Sequence, residues 1–289
     1  MIFAWIEERR GEYPVAVSCR VLGVSRSGYY ARANRPRSKA AVRREELVAH
    51  IRAVHADARE RYGSPRLARE LKARGVACCV NTVAKVMKAH GIRAKAGKRF
   101  VRTTDSGHRL PVSENVLGRD FTAARPNEKW AIDLTYVPTL EGWLFLALVV
   151  DLFSRRIAGW AMAATMTSRR VVDALDLAVG PRGVPPGSIA HSDRGSQYAS
   201  EHYQSELCRH GLVDSMSGVG QCWDNAVVES MFGRLKQELV HGASYATRDE
   251  AKVAIFEYIE VFYTRARRHS SLGYVAPAKY ERARNPNNR

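Results

Sequence analysis

The sequence predicts an α/β chain: a mixed five-stranded sheet with helices, preceded by small all-helical units. Three observations predict it. Three strand-like runs follow one another within residues 130–163, separated only by short turns. From residue 168 onward, helical and strand-like segments alternate. Before residue 98, apolar residues instead recur at helical spacing between glycine stops.

The first helical pair is V-A-V-S-C-R-V-L-G-V-S-R-S-G-Y-Y (15–30), with Gly23 ending one helix and Ser25 capping the next. In the second pair, Ser64 reads as an N-cap with Pro65 at the first helical position. The run R-L-A-R-E-L-K-A-R (66–74) then stops at Gly75. Asn81 reads as the cap of T-V-A-K-V-M-K-A-H (82–90), which stops at Gly91. Val83, Val86 and Met87 share an inward face, and Lys85 and Lys88 point away from it. This is a helix-turn-helix pattern with 82–90 as the candidate recognition helix, although a plain helical hairpin has the same periodicity. The stretch 93–129 is basic, small and polar, with Pro111 and Pro126, and reads as a linker.

The expected strands are 130–139, 143–151, 156–163, 188–193 and 212–217. Glu141-Gly142 turns the first hairpin, and helices are expected over 168–180 and from Ser200 to His210. A long helix follows the loop G-V-G-Q-C-W-D-N (218–225), capped by Asp224 or Asn225. Val228, Phe232, Leu235 and Leu239 share one face, while Glu229 and Lys236 lie on an adjoining one. Thr247 and Glu250 form a capping box for a helix reaching about Arg265.

Composition narrows the function classes. The longest purely apolar run, 143–150, is far below the ~18–20 residues of a membrane span. The first residues lack a signal-peptide core, so a soluble cytoplasmic protein without membrane attachment is expected. Five irregularly spaced cysteines fit a reducing compartment. His50, His55, Cys78 and Cys79 lack the usual zinc-ligand spacing, so Cys78 and Cys79 read as part of a helix–turn–helix connection. The net charge is +17 and it is lopsided. Residues 1–125 hold 27 Lys/Arg against 11 Asp/Glu, whereas 126–289 hold 19 against 18. An Arg-rich codon bias would spread the excess over both halves. A concentrated positive segment is instead a footprint for phosphate backbone, and it should supply most of the affinity for duplex DNA.

Three acids carry the chemistry. Asp133 lies in W-A-I-D-L-T-Y (130–136), Asp193 in H-S-D-R-G-S-Q-Y (191–198) and Glu229 in D-N-A-V-V-E-S-M-F-G-R-L-K (224–236), with 35 residues between the last two. Alone, an Asp ending a strand reads as a turn residue and a helical Glu as solvated surface. Together they form a hard oxygen ligand set of the kind magnesium and manganese take. Such sets hold two ions ~3.5–4 Å apart for in-line displacement at phosphorus.

In these three contexts the chain resembles the DDE transposase and retroviral-integrase superfamily, whose acids follow an Asp, Asp, 35-residue gap, Glu pattern. Within it, the chain looks like the OrfB part of an insertion-sequence transposase of the OrfA/OrfB frameshifting family. The likeness runs from about Val17 to the tail, where R-R-H-S-S-L-G-Y-V-A-P (267–277) is similar to the family's ending. Gln221 and Thr264 depart from its commoner residues. The resemblance implies an RNase H-like integrase core, in which the first and fourth strands are neighbours and Asp133 and Asp193 lie side by side. The organisation expected is a helical segment over 1–38, a helix-turn-helix DNA-binding domain over 39–97, a linker over 98–125 and the catalytic domain with its helical tail over 126–289.

The resemblance also implies the chemistry. Asp133, Asp193 and Glu229 would bind two Mg2+ or Mn2+ ions, Asp133 bridging them. Water would cut at the element end, and the freed three-prime hydroxyl would then attack target DNA. Lys236, Asn225, Arg194, Lys85, Lys88 and Arg66 are the candidate DNA contacts. Double-stranded DNA, further copies of the chain and an upstream OrfA partner or fusion are the expected partners. The alternative is a DNA-binding regulator or assembly subunit with an inactive RNase H-like half, against which the intact acids argue. An RNA–DNA hybrid nuclease is a third reading, against which the basic helical units argue.

Overall fold

The computed structural model describes residues 1–33, 38–95, 110–218 and 221–284. Three short helices open the chain: α1 (Ile2–Glu8), α2 (Val15–Val21) and α3 (Arg26–Ala33). They close on a small core of Ile6, Cys19 and Tyr29. The second unit is α4 (Lys39–Asp57), α5 (Ser64–Ala73) and α6 (Val80–Ala89). Ile51, Val54, Leu67, Leu71, Val83, Val86 and Met87 form its core.

Two caps in this unit differ from the expectation. Gly63 occupies the N-cap of α5, which puts Ser64 inside the first turn. Cys79, in extended backbone, caps α6, its Sγ accepting from the Thr82 amide at 3.4 Å, so the helix starts before Asn81. Cys78 packs against the same core, which makes both cysteines part of the α5–α6 connection. Helix α4 was not anticipated. Only Ile51, Val54 and His55 are buried along its length, too sparse a stripe to mark a face.

The larger domain holds β1 (Lys129–Thr139), β2 (Gly142–Asp151), β3 (Ile157–Ala163), α7 (Ser168–Val179), β4 (Ile189–Ser192), α8 (Glu201–Arg209) and β5 (Val213–Met216). Then come α9 (Ala226–Leu235), which runs on as a π-helical turn (Lys236–Val240), and α10 (Arg248–Phe256), which runs on as another (Glu257–Tyr263). Helix α11 (Pro277–Arg284) ends the described chain. The strands order as β3-β2-β1-β4-β5. β1 to β3 pair antiparallel, and β4 joins β1 and β5 in parallel. The expected five-stranded mixed sheet is therefore present, with its first and fourth strands adjacent.

Alternation along β1 sends its side chains into two cores. Trp130 and Ile132 pack with Leu175 of α7 and Tyr203 of α8. Ala131 and Val137 pack with Val228, Phe232 and Leu235 of α9 and Ile255 of α10. Close approach on the first side depends on Gly159 of β3, where a Cβ would sit 2.1 Å from the Ala174 carbonyl oxygen and 2.6 Å from the Ala178 nitrogen. Among the described residues, no helix is long and apolar enough to cross a membrane.

Described residues of the stretch read as linker lie on the sheet domain. Leu117 is buried in the α9 core, its amide donating to Ser215 Oγ at 3.1 Å. Ser113 donates to Asp214 at 2.5 Å. Residues 96–109 lie outside the described residues.

Arginines dock the helix-turn-helix unit onto the C-terminal segment. Arg59 pairs with Glu257. Arg66 Nε donates to the Arg268 carbonyl at 2.9 Å, and Arg268 Nε donates to Glu70 at 2.7 Å. Beneath them, Arg267 and Glu238 form a buried two-pronged ion pair at 2.6 and 2.8 Å. The Tyr258 hydroxyl donates to the same carboxylate at 2.9 Å, and Arg61 Nε donates to the Glu238 carbonyl at 3.2 Å.

Two outcomes follow for stability. Gly159→Ala should lower it by about 1–3 kcal/mol or more, because α7 must back away from β3; a urea midpoint equal to wild type would contradict that packing. Glu238→Ala should cost about 3–5 kcal/mol by leaving the Arg267 charge buried alone. Replacing both Glu238 and Arg267 with Met should recover much of the loss in the same denaturation measurement.

Candidate active site

The parallel pairing of β1 with β4 sets the site. Its last matched pair is Ala131 with His191, so Asp133 and Asp193 each lie two residues further on. Asp133 shares the β1 face of Ala131, the face that α9 covers. β4 ends at Ser192, and a cavity of about 150 Å³ opens there, with Asp133 and Asp193 both in its wall. Thr135, Tyr136, Gln197 and Tyr198 also line it, residues the sequence reading did not single out.

Hydrogen bonds fix both carboxylates. Asp133 Oδ1 accepts from the Leu134 amide at 2.7 Å, and Asp193 Oδ1 accepts from the Gly195 amide at 2.9 Å. Gly195 is tight for a reason: a Cβ there would lie 3.1 Å from Asp193 Oδ1 and 2.9 Å from Gln197 Oε1. Burial pushes the Asp133 carboxyl well above the usual carboxylate range, and the charges of Asp193 and then Glu229 push it further. The Leu134 amide and Lys236 act in the opposite direction. Asp193, Glu229 and Lys236 are thus each within electrostatic reach of Asp133. Glu229 itself is exposed on α9 and is not part of the cavity wall shared by the two aspartates.

Lys236 lies half-buried with its amine 4.7 Å from the centre of the Tyr136 ring. Burial lowers its pKa, and the Asp133 charge opposes that shift. Asn225 is buried rather than presented to solvent. Its Nδ2 donates to the Ile132 carbonyl at 3.2 Å, which ties the start of α9 to β1 one residue before Asp133. Neither Asp224 nor Asn225 caps α9 with its side chain, because a 3-10 turn (Cys222–Asn225) precedes the helix. Arg194 is half-buried beside Asp193. Lys85 and Lys88 are exposed on α6, and Lys85 shares with Arg43 and Arg44 a groove between α4 and α6. Arg66 faces away from that groove, toward the C-terminal segment.

The neighbouring ionisable groups have structural tasks. His191 is buried between Ser215 Oγ at 2.8 Å and Ser217 Oγ at 3.2 Å, and burial lowers its pKa to about 4, so it is neutral. Asp151 accepts from the Ser154 hydroxyl at 2.5 Å and from the Asn127 amide at 3.2 Å. Asp224 binds Arg119 Nε at 2.6 Å, Asn115 Nδ2 at 2.9 Å and the Gly218 amide at 2.9 Å. Burial raises its pKa, but Arg119 and the Gly218 amide hold it below the ordinary value.

The chain is similar to known proteins over most of its length. An integrase core domain family matches residues 123–222, a second integrase core domain family matches 229–284, and an HTH-like domain family matches 42–100. The transposase InsF for insertion sequence IS3A of Escherichia coli (strain K12) is 44% identical over 284 residues, covering 97% of this chain and 98% of that one. An uncharacterized 31 kDa protein of insertion element IS600 of Shigella sonnei is 42% identical over 262 residues, covering 91% and 96%. Among solved structures, the catalytic core domain of HTLV-2 integrase in complex with magnesium is 17% identical with a TM-score of 0.42, covering 54% of this chain and 97% of that one. A simian T-cell lymphotropic virus intasome in complex with PP2A regulatory subunit B56 gamma is 15% identical with a TM-score of 0.45, covering 79% and 73%. With 44% identity across nearly the whole length of both chains, this protein belongs to the InsF transposase family of IS3 insertion sequences.

Proposed function

We propose that this transposase cuts and joins DNA strands at a centre built from Asp133, Asp193 and Glu229. One observation carries the reading. Two aspartates sixty residues apart in sequence share one cavity at the β1–β4 boundary, and the charge of Glu229 bears on the first of them. Like charges gathered in a half-buried site are unfavourable without a cation. The donors are all hard oxygens, so Asp133, Asp193 and Glu229 would hold Mg2+ or Mn2+, two ions per site. When bound, these ions supply charge neutralisation for displacement at phosphorus. The chain itself positions the carboxylates through the Leu134 and Gly195 amides, holds α9 against β1 through Asn225, and offers Lys236 as a point charge for a phosphate oxygen.

The helix-turn-helix unit would supply duplex affinity through Lys85 and Lys88 and its surrounding arginines. Assembly of several copies on DNA and action with an upstream OrfA partner or fusion belong to the same reading. The full-length relatives named as transposases favour transposition over a regulator with an inactive core.

Glu229→Gln, Asp133→Asn and Asp193→Asn should each lower metal-dependent strand transfer by on the order of 10³-fold, the equivalent of several kcal/mol of lost charge stabilisation. The three losses should not add, because the ligands act as one unit. Mg2+ should raise the melting temperature of wild type and not of Asp133→Asn. Strand transfer near wild type in any of the three would overturn the assignment, provided circular dichroism shows a folded protein.

Lys85→Ala with Lys88→Ala should weaken duplex binding by the full chain. If both contact phosphate, the slope of log K against log salt should fall by ~0.9 per residue. If they read bases, discrimination between element ends and random DNA should fall instead. Unchanged affinity, slope and discrimination together would remove α6 from the DNA interface.

A further inference from the structure

A second charged cavity, of about 290 Å³, lies on another face of α9. Successive helical residues are offset by about 100°. Glu229, whose charge bears on Asp133, therefore lies on a different face from Ser230 and Arg234, which line this cavity. Arg66 of α5, Arg155 of the β2–β3 turn and Arg267 of the tail complete its charged lining, with the His269 imidazole beside them. Among the described residues, no carboxylate lines it. Glu238 neutralises Arg267 from behind, which leaves the other three guanidinium groups in excess.

Arg155 is held in an unusual state. Its backbone is left-handed, with φ 57°, a conformation uncommon for a non-glycine residue. The Tyr263 hydroxyl donates to its carbonyl at 3.0 Å, and its own Nη2 donates to the Phe121 carbonyl at 3.2 Å. Nη1 is buried with no hydrogen-bond partner. A buried, unsatisfied guanidinium nitrogen is costly, and a strained residue that persists points to function. His269 cannot add an acceptor of negative charge. Burial and the four surrounding arginines lower its pKa to about 4, so it is neutral.

Planar guanidinium donors with no competing acid match the oxygens of a phosphate group. We propose that this cavity binds a backbone phosphate of the DNA strand flanking the scissile bond, with Arg155 and Arg234 as its donors. The strand's path, though not the anion chemistry, rests on the reading of Asp133, Asp193 and Glu229 as the reacting centre. A strand leaving that centre along α9 passes from the Glu229 face to the Arg234 face. The site would also absorb the R-R-H-S-S motif (267–271), which the acid triad leaves unexplained.

The test is a salt titration of duplex binding by the full chain in chelator, for wild type, Arg155→Gln, Arg234→Gln and the double variant. The same titrations are run in a Glu229→Gln background. Loss of one phosphate contact should lower the log K against log salt slope by ~0.9 in both backgrounds. Arg234 is exposed, so its variant remains decisive if Arg155→Gln proves unstable by circular dichroism. An unchanged slope in folded Arg234→Gln and in the double variant would overturn the proposal. So would a melting-temperature increase with inorganic phosphate that Arg155→Gln abolishes while the DNA slope stays at wild type, since the occupant would then be a free anion. Failure of the reacting-centre reading has a different signature, retained strand transfer in Glu229→Gln, whatever the slopes show.

Discussion

The ion pair of Glu238 and Arg267 is the constraint on which the rest of the structure depends. Both side chains are almost wholly buried. Removing two charges from water costs several kcal/mol each, so the pair is tolerable only with good geometry and satisfied hydrogen bonds. It has both: two short guanidinium contacts, the Tyr258 hydroxyl on the carboxylate, and Arg61 on the backbone carbonyl. Glu238 lies in the π-helical turn that ends α9, and Arg267 follows the π-helical turn that ends α10. Arg61 comes from the helix-turn-helix unit. One buried charge pair thus fixes the helix that carries Glu229 and Lys236, the tail, and the docking of the helix-turn-helix unit.

Charge is distributed with similar economy around the acids. Asp151 is satisfied by hydrogen bonds, Asp224 by Arg119 and Asn115, and Glu281 by Arg156 and Arg182. Each is a carboxylate close to the sheet domain's core, and each has local donors that stabilise its ionised form. The charges that bear on Asp133 have a different balance. Two carboxylates raise it and one lysine lowers it, in a half-buried place where screening is weak. A structural carboxylate would gain nothing from that company. A cation ligand would, because a bound cation adds an attraction that offsets the burial and the carboxylate repulsion opposing ionisation.

Much of this was legible in the sequence. The strands follow from β-branched and apolar runs between turns, the adjacency of the first and fourth only from the family resemblance, and the acids from their local contexts. Helical spacing puts Lys236 near Glu229, and both charges bear on Asp133. What stayed illegible depended on tertiary contact. Helix α4 buries so little that it has no distinct apolar stripe. Cys79 displaced Asn81 as a cap because the backbone became helical two residues earlier, which propensity does not decide. Asn225 reads in sequence as a DNA contact or a helix cap, and no local pattern shows that its Nδ2 donates to the Ile132 carbonyl, a partner ninety-three residues away. The arginine cavity draws on positions 66, 155, 234 and 267, and no local pattern connects them.

Helix α9 shows how these parts depend on one another. One face, Val228, Phe232 and Leu235, is welded into the core. A second carries Glu229 and Lys236 toward Asp133, and a third carries Ser230 and Arg234 toward the arginine cavity. A rigid helix cannot move one face without moving the others. A shift of the helix-turn-helix unit is transmitted through Arg66, Arg268, Arg61 and the buried pair to the same helix that holds Glu229. The geometry of the acid centre is therefore tied to the position of the helix-turn-helix unit.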